Sequence, residues 1–494
     1  MMNGHGKSDK TVVPAKFANK GGTQTPAERD GGKSFSQGEP RSEQNTRRAQ
    51  HRESVQQALD RVRKVARRDK TVQFTSLMHH IFAIDTLRSS FFRLKKSAAA
   101  GIDGETWVTY EENLEANLQS LSERLQRGGY KAKPVRRVFI AKADGKQRPL
   151  GVPVLEDKIV QRATTEVLNA IYETDFLGFS YGYRPGKGQH NCLDALYVGI
   201  YAKRVNWVLD ADIRGFFDNL NHEWLIKFVE HRIKDKLVIR LIQKWLKAGV
   251  MLDGQRQETE GGVPQGGSIS PLLANIYLHY VLDLWVQQRR QDRSRGEMII
   301  VRWADDFVVG FEHRSQAERF LAELKERMLK FSLELHPEKT QILEFGRFAA
   351  NNRKKRGEGK PRTFNFLGFT HICGHIQGNA KKFTVRRHTI AKKMRSKLLE
   401  VKLELRIRMH QPIPEQGKWL ASVVGGHCRY YGVPTNRQQL IAFRSKVVLL
   451  WHHSLLRRSQ NTNLPWKRMK RIANRWIPHA KLHHPFPPQR LRLT

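Results

Sequence analysis

Residues 301 to 311 read VRWADDFVVGF, two short apolar runs with Asp305 and Asp306 side by side between them. The pattern predicts a buried β-hairpin with both carboxylates at its tip. Like charges that close repel, and each pushes up the other's pKa unless something cationic sits between them. A solvated turn explains the pair plainly, because Asp is a common turn residue. A divalent metal site explains it too, but needs a further carboxylate from another strand. The segment WVLDADIRGFF, 207 to 217, offers one: Asp212 follows an apolar run and precedes a tight turn.

The 494 residues suffice for about two to four domains. Lys and Arg number 88 against 47 Asp and Glu, a formal net charge of +41. Such an excess points to a polyanion, nucleic acid first. It is uneven: residues 381 to 494 hold 26 Lys and Arg against three Asp and Glu, and no acidic side chain follows Glu415. No apolar run approaches the roughly 18 residues needed to span a bilayer, so no membrane partner is expected. The N-terminus, MMNGHGKSDKTVVPAKFANK, lacks the apolar core of a signal peptide. Three cysteines, at 192, 373 and 428, never form C-x-x-C. That fits a reduced cytoplasmic protein and argues against a zinc ribbon or a cysteine-paired nuclease module. Cys373 and His375 lack a second ligand pair and are read as incidental.

Residues 1 to 52 are polar and glycine-rich without periodicity, and read as a disordered basic tail. From 53 to 128 the pattern turns helical, with RESVQQALDRVRKVARR and YEENLEANLQSLSERLQRG placing apolar residues at helical spacing. VRRVFIAKADGKQRPLGVP reads as a hairpin with Asp144-Gly145 at its turn. LEDKIVQRATTEVLNAIYE is an amphipathic helix. GGVPQGGSISPLLANIYLHYVLDLWVQQ is a glycine-rich loop running into a long buried helix, with Ser270 as N-cap and Pro271 at its first position. SQAERFLAELKERMLKFSLEL is another amphipathic helix and TFNFLGF a short strand; beyond 385 the chain is basic, helical and aromatic. Helices interleaved with strands that look antiparallel give an α+β fold.

A strand ending in Asp212, a glycine-rich loop with a helix, then an Asp-Asp hairpin is the order of palm-type nucleotide polymerases. Such enzymes hold two divalent ions roughly 4 Å apart with carboxylates from different segments. Eight segments in order make the resemblance specific: GIDG (101–104), AKADGKQRPLG (141–151), YGYRPGKG (181–188), DIRGFFDNLNH (212–222), GGVPQGGSISPLLANIYL (261–278), RWADDF (302–307), LELHPEKT (333–340) and FNFLGF (364–369). From about 90 to 494 the chain resembles the bacterial group II intron reverse transcriptase/maturases.

That resemblance implies a right-hand polymerase. Fingers would span 129–206, a palm with an antiparallel sheet and the catalytic site 207–375, and a helical thumb and maturase domain 376–494. Asp212, Asp305 and Asp306 would be catalytic and would hold two Mg²⁺ ions, with Mn²⁺ as a substitute and the Ile213 carbonyl assisting. The ions' charge would make the paired carboxylates tolerable. Lys142 and Arg148 would clamp the incoming triphosphate. Phe217 matches the steric gate that leaves no room for a ribose 2′-hydroxyl, and Gln265 a residue contacting the nascent base pair. Lys339 is a candidate for binding or protonating the pyrophosphate leaving group, and FNFLGF resembles the primer grip. The partners implied are intron RNA, an RNA template, a DNA primer or target, and deoxynucleoside triphosphates. Two departures stand out. Trp303 replaces the family's usual Tyr, with effects expected on primer-end packing or fidelity. The cysteine/histidine endonuclease domain of many relatives has no counterpart here, so cleavage of target DNA is not expected.

In the basic C-terminal region, Arg457, Arg458, Lys467, Arg468, Lys470 and Arg471 are the candidates for salt-dependent RNA contact. Trp419, Trp451, Trp466 and Trp476 are expected mainly to pack between helices. The expected function is RNA-directed DNA polymerisation, together with intron RNA binding that assists splicing and intron mobility. A maturase with an idle polymerase site is disfavoured by the full set of Asp212, Asp305, Asp306, Lys142 and Arg148. A reverse transcriptase serving defence or repair stays open at this level, as does the oligomeric state.

Overall fold

The computed structural model describes residues 41–141, 147–252, 255–257, 261–263, 266–291, 296–376, 379–459 and 463–491. Lys142, Gln265, the Asp144-Gly145 turn and the first forty residues of the expected tail lie outside them. In chain order the strands are β1 (Val135–Ala141), β2 (Gln147–Val152), β3 (Trp207–Asp212), β4 (Val250–Leu252), β5 (Gln255–Gln257), β6 (Met298–Trp303), β7 (Asp306–Phe311), β8 (Gln341–Glu344), β9 (Phe364–Phe366), β10 (Phe369–Ile376) and β11 (Asn379–Thr389). They form three sheets, ordered β2-β1-β4-β5, β6-β7-β3-β8 and β11-β10-β9. All pairings are antiparallel except β1 with β4.

The second sheet is covered on both faces. Leu209, Ala211, Ile300, Phe307 and Val309 enter one core with the helices Leu155–Asp175 and Ser270–Leu278. Val208, Val301 and Val308, at the alternate positions, enter a second core with the helix Gln189–Ala202. Successive strand side chains point to opposite faces, so two-sided cover requires the unbroken apolar runs seen in the sequence. The β6–β7 turn is tight: Trp303 pairs with Asp306, leaving Ala304 and Asp305 as the loop. Ala304 has φ of 55°, the positive value that primed hairpin turns demand of a central residue.

The C-terminal helices Ala391–Ile407, Ile413–Tyr431, Arg437–Leu456 and Trp466–Trp476 enclose a third core around Leu420, Val424, Phe443, Trp451 and Met469. Trp451 is fully buried and donates its indole N–H to Gln416 Oε1 at 2.7 Å. The Trp476 ring lies against Gly417, where a Cβ would collide with it. Trp419 is partly buried against the same core, with the Arg408 guanidinium 5.2 Å from its ring centroid. Only Trp466 of the four stays exposed.

Several boundaries differ from the sequence expectation. The first helix runs Arg41–Arg68 and so begins inside the stretch read as tail. The helical pattern at 110 to 128 resolves into two helices, Trp107–Glu112 and Leu114–Gln126, parted at Asn113. The long helix from Ser270 is interrupted by a π turn, His279–Asp283, before continuing as Leu284–Gln291. FNFLGF is a hairpin and not one strand, because Leu367 and Gly368 both take positive φ. The expected break at 375/376 falls within the β10–β11 hairpin, and the helical region starts at Ala391. Among the described residues no helix is long and apolar enough to cross a membrane.

Candidate active site

Register brings the carboxylates together. In the antiparallel pair β3–β7, Asp212 stands directly opposite Asp306, and Asp305 is the next residue in the turn. Asp210 lies two residues before Asp212 and therefore on the same face. The alternation Val208, Asp210, Asp212 on β3 and Asp306, Val308 on β7 puts three carboxylates on the side covered by the helix Gln189–Ala202.

Their electrostatics follow from that placement. Burial, then repulsion from Asp210, Asp212 and Asp305, pushes the Asp306 carboxyl well above the usual carboxylate range. Asp305 is raised by burial and by Asp212, with Arg148 and Lys339 opposing. Asp210 is pushed up to about 7 by burial and by Asp212, against a hydrogen bond with Gln341. One cation answers directly: Lys339 Nζ lies 2.6 Å from Asp212 Oδ2. The His336 N–H donates to the Asp212 carbonyl at 2.8 Å and so draws the turn carrying Lys339 over the end of β3.

Among the described residues no three Asp, Glu, His or Cys side chains stand ready-made around a metal position, and Asp212 holds Lys339. The donor chemistry nevertheless suits a hard divalent cation: carboxylate oxygens, short of positive charge, beside a main-chain carbonyl. That carbonyl is Ile213's. In the antiparallel bridge of Ile213 with Leu335 the hydrogen bonds are made by the flanking residues, His336 to Asp212 and Arg214 to Glu334, which leaves the Ile213 carbonyl turned away from this partner.

The remaining expected residues gather unevenly. Arg148 sits opposite Ile140 near the tip of the β1–β2 hairpin, close enough to Asp305 to lower its proton affinity. Phe217 is half-buried, with its ring edge-on to the buried Phe216 at 5.4 Å. Its carbonyl accepts the Val263 N–H at 2.8 Å, which ties the VPQGG loop to the turn after β3. Gly266 has φ of 122°, and a Cβ there would collide with the Gly151 carbonyl, so Gly266 is pressed against β2. Trp303 is half-buried beside the second core.

Other participants escaped sequence reasoning. Asp210 is one; the repeat of Asp at every second residue in LDAD was its signal. Arg302 is another. It is fully buried, and its guanidinium reaches Asp283 at 2.7 and 2.6 Å, Ser180 Oγ at 2.7 Å, Asn275 Oδ1 at 3.2 Å and the Ala304 carbonyl at 2.9 Å. The Asp-Asp turn is thus held from below by a satisfied ionic network. Asn275 also donates to the Gly182 carbonyl at 2.8 Å, and Gly182 is packed so close to Ala304 that no Cβ fits between them. Tyr183 follows in the left-handed region, φ 59°, with its hydroxyl pushed up by partial burial and then by Asp305, against Arg148. Gly182 and Tyr183 of the YGYRPGKG segment therefore stand beside the Asp-Asp turn.

At the C-terminal region the six candidate cations separate. Lys467, Arg468, Lys470 and Arg471 are exposed on the helix Trp466–Trp476, which buries Met469 and Ala473 on its other side. Arg457 is exposed as well. Arg458 is partly buried and donates to the Gln411 carbonyl at 2.6 Å, so it serves the packing of its own helix end.

The family model for reverse transcriptase (RNA-dependent DNA polymerase) matches residues 140–371, which include every carboxylate above. The group II intron-encoded protein LtrA of Lactococcus lactis subsp. cremoris is 28% identical, over 78% of this chain and 75% of its own length. Protein YkfC of Escherichia coli (strain K12) is 35% identical over 50% of this chain and 73% of its own. The chain belongs to the group II intron-encoded reverse transcriptase family. A putative COX1/OXI3 intron 2 protein of Saccharomyces cerevisiae is 33% identical over 45% of this chain and 26% of its own. The reverse transcriptase is accordingly an RNA-directed DNA polymerase with maturase function, acting on nucleic acid with divalent metal ions.

Asp210 yields a prediction here. A carboxyl whose folded pKa is raised favours folding below its unfolded pKa, near 4, and loses that contribution as pH rises through about 7. Asp210→Asn is therefore expected to raise the melting temperature of the metal-free enzyme at pH 8, with a smaller gain at pH 5. Equal gains at both values, by thermal unfolding in chelator, would assign the stabilisation to something other than charge.

Proposed function

We propose that this reverse transcriptase copies group II intron RNA from the 3′-hydroxyl of a DNA primer, using Mg²⁺, with Mn²⁺ as a substitute, and that it binds the same RNA to assist splicing and mobility. The observation that carries the reading is the pairing of Asp212 with Asp306 across β3–β7, with Asp305 in the adjoining turn. Asp212, Asp305 and Asp306, with the Ile213 carbonyl, would hold the ions. When bound, the metal would activate the attacking hydroxyl and neutralise charge on the leaving phosphate.

The chain's own residues do the rest. Arg148, with Lys142, meets the triphosphate from the β1–β2 hairpin as fingers would. Phe217 closes the sugar pocket against a 2′-hydroxyl, and Gln265 contacts the nascent pair from a loop that Gly266 lets approach. Lys339 would release Asp212 to the metal and turn to the pyrophosphate. The sheet β6-β7-β3-β8 serves as palm, and the helices from Ala391 as thumb and RNA-binding domain. The exposed cations Arg457, Lys467, Arg468, Lys470 and Arg471 face RNA phosphates there. The work belongs in the cytoplasm, where template, primer and deoxynucleotides meet.

The test is primer extension on an RNA template with Mg²⁺, comparing deoxynucleotides with ribonucleotides. Extension with deoxynucleotides alone is expected, and Phe217→Ala should erode the discrimination by roughly 10- to 100-fold. No extension by the parent enzyme, with salt-sensitive RNA binding intact, would leave a maturase without polymerase activity.

A further inference from the structure

We propose that the connection between β8 and β9, residues 345 to 363, is a phosphate-binding surface for structured RNA, separate from the catalytic cleft. It rests on the reading above, in that RNA is the polyanion this chain handles. The connection carries Arg347, Arg353, Lys354, Lys355, Arg356, Lys360 and Arg362 against the single acid Glu358. Its helix is Ala349–Lys355.

The cations divide by role. Arg356 bridges Glu344 at the end of β8 and Glu358, and Arg353 pairs with Glu358 at 2.8 Å while donating to the Gly359 carbonyl at 2.9 Å. These contacts fix the loop's shape. Arg347 donates to the Tyr201 carbonyl at 3.1 Å. Lys354, Lys355, Lys360 and Arg362 are exposed, and among the described residues none has an acidic partner. A merely solvated charge run has no need of a braced frame. Here two arginines brace a loop that presents four other cations, so the binding geometry is set before a ligand arrives.

The mounting is equally firm. The Phe345 N–H donates to the Asn206 carbonyl at 2.9 Å, and Gly346 lies so close to the Val205 carbonyl that a Cβ would collide. Phe348 stands 50% exposed at the start of the helix, beside Arg347, where an aromatic ring can stack on an unpaired base. An exposed aromatic among cations is the composition of a nucleic-acid surface.

Position excludes the primer terminus. Glu344 pairs with Trp207, the first residue of β3, whereas the carboxylates cluster at Asp212, its last. Five residues of strand separate the two ends by about 17 Å. RNA phosphates held on this connection therefore lie off the reacting centre.

The test uses the full chain with Lys354→Gln, Lys355→Gln, Lys360→Gln and Arg362→Gln combined, all surface changes that leave the bracing arginines in place. Affinity for a folded transfer RNA, as the structured probe, is expected to fall at least tenfold at moderate salt. The slope of log affinity against log salt should shrink by about 3, as the loss of four phosphate contacts requires. Extension of a short primer on a short RNA template should change less than twofold. Phe348→Ala should weaken RNA binding about tenfold with the salt slope unchanged. Parental RNA affinity and slope in the quadruple variant would reduce the segment to a solvated face. An equal loss of short-template extension would place it in the cleft. An equal loss of affinity for duplex DNA would make it a general polyanion patch; each of these overturns the proposal. A parent enzyme that binds no RNA at all would instead overturn the function on which it rests.

Discussion

Asp305→Asn combined with Asp306→Asn is expected to abolish primer extension, by at least roughly 10³-fold, while raising the melting temperature of the metal-free enzyme. Both effects have one origin. Burial and repulsion from neighbouring carboxylates, Asp212 foremost for Asp305, raise the proton affinity of both carboxyls, so in the absence of a cation their charge opposes folding. Asn keeps the shape and an acceptor oxygen but removes the charge. The gain should be larger at pH 8 than at pH 5, because a raised carboxyl costs most where it must be ionised. Mg²⁺ should reverse the order, stabilising the parent by mass action and leaving the double variant unmoved. Thermal unfolding in chelator and in Mg²⁺, beside primer extension, measures all three. A variant that melts lower than the parent in chelator would mean that these carboxylates are satisfied within the protein, and the charge argument would fail.

The site was legible in sequence where a local pattern carried it. Asp212 closes one apolar strand, Asp306 opens another and Asp305 stands in the turn before it, and carboxylates at such points are conspicuous against strand periodicity. The sheet was legible for the same reason, since two-sided burial leaves runs such as FVVGF without a polar break. Asp210 was lost because one polar residue in an alternating strand looks like its solvent face; only the second core, built on the helix Gln189–Ala202, makes that face an interior. Lys339 could be read as surface, and its 2.6 Å contact with Asp212 depends on a bridge to β3 from a segment more than a hundred residues away. Helix ends followed a similar logic. Asn113 divides a helical pattern that periodicity alone runs through, and the π turn at His279–Asp283 has no periodic signature at all.

Arg302 shows most sharply what local pattern hides. In RWADDF it reads as a charged residue at a strand end, yet it has no exposed surface, and its side-chain partners are 19, 27 and 122 residues distant. Arg302→Met is expected to cost about 3–5 kcal/mol of stability, because Asp283 is left as a buried charge without its counter-ion. Adding Asp283→Leu removes that charge and should restore most of the loss, since an apolar pair of similar volume commonly replaces a buried ion pair at little cost. Activity should not follow stability. Nothing in the paired variant donates to the Ala304 carbonyl, whose residue sits at a strained φ of 55° immediately before Asp305. The turn would relax, and a displacement of the carboxylates by about 1 Å costs on the order of 10²-fold in rate. Denaturant unfolding and primer extension on the parent, the single and the paired variant separate the two roles. Recovery of both stability and rate in the paired variant would make the network structural only; recovery of stability alone makes Arg302 the residue that aims the catalytic hairpin.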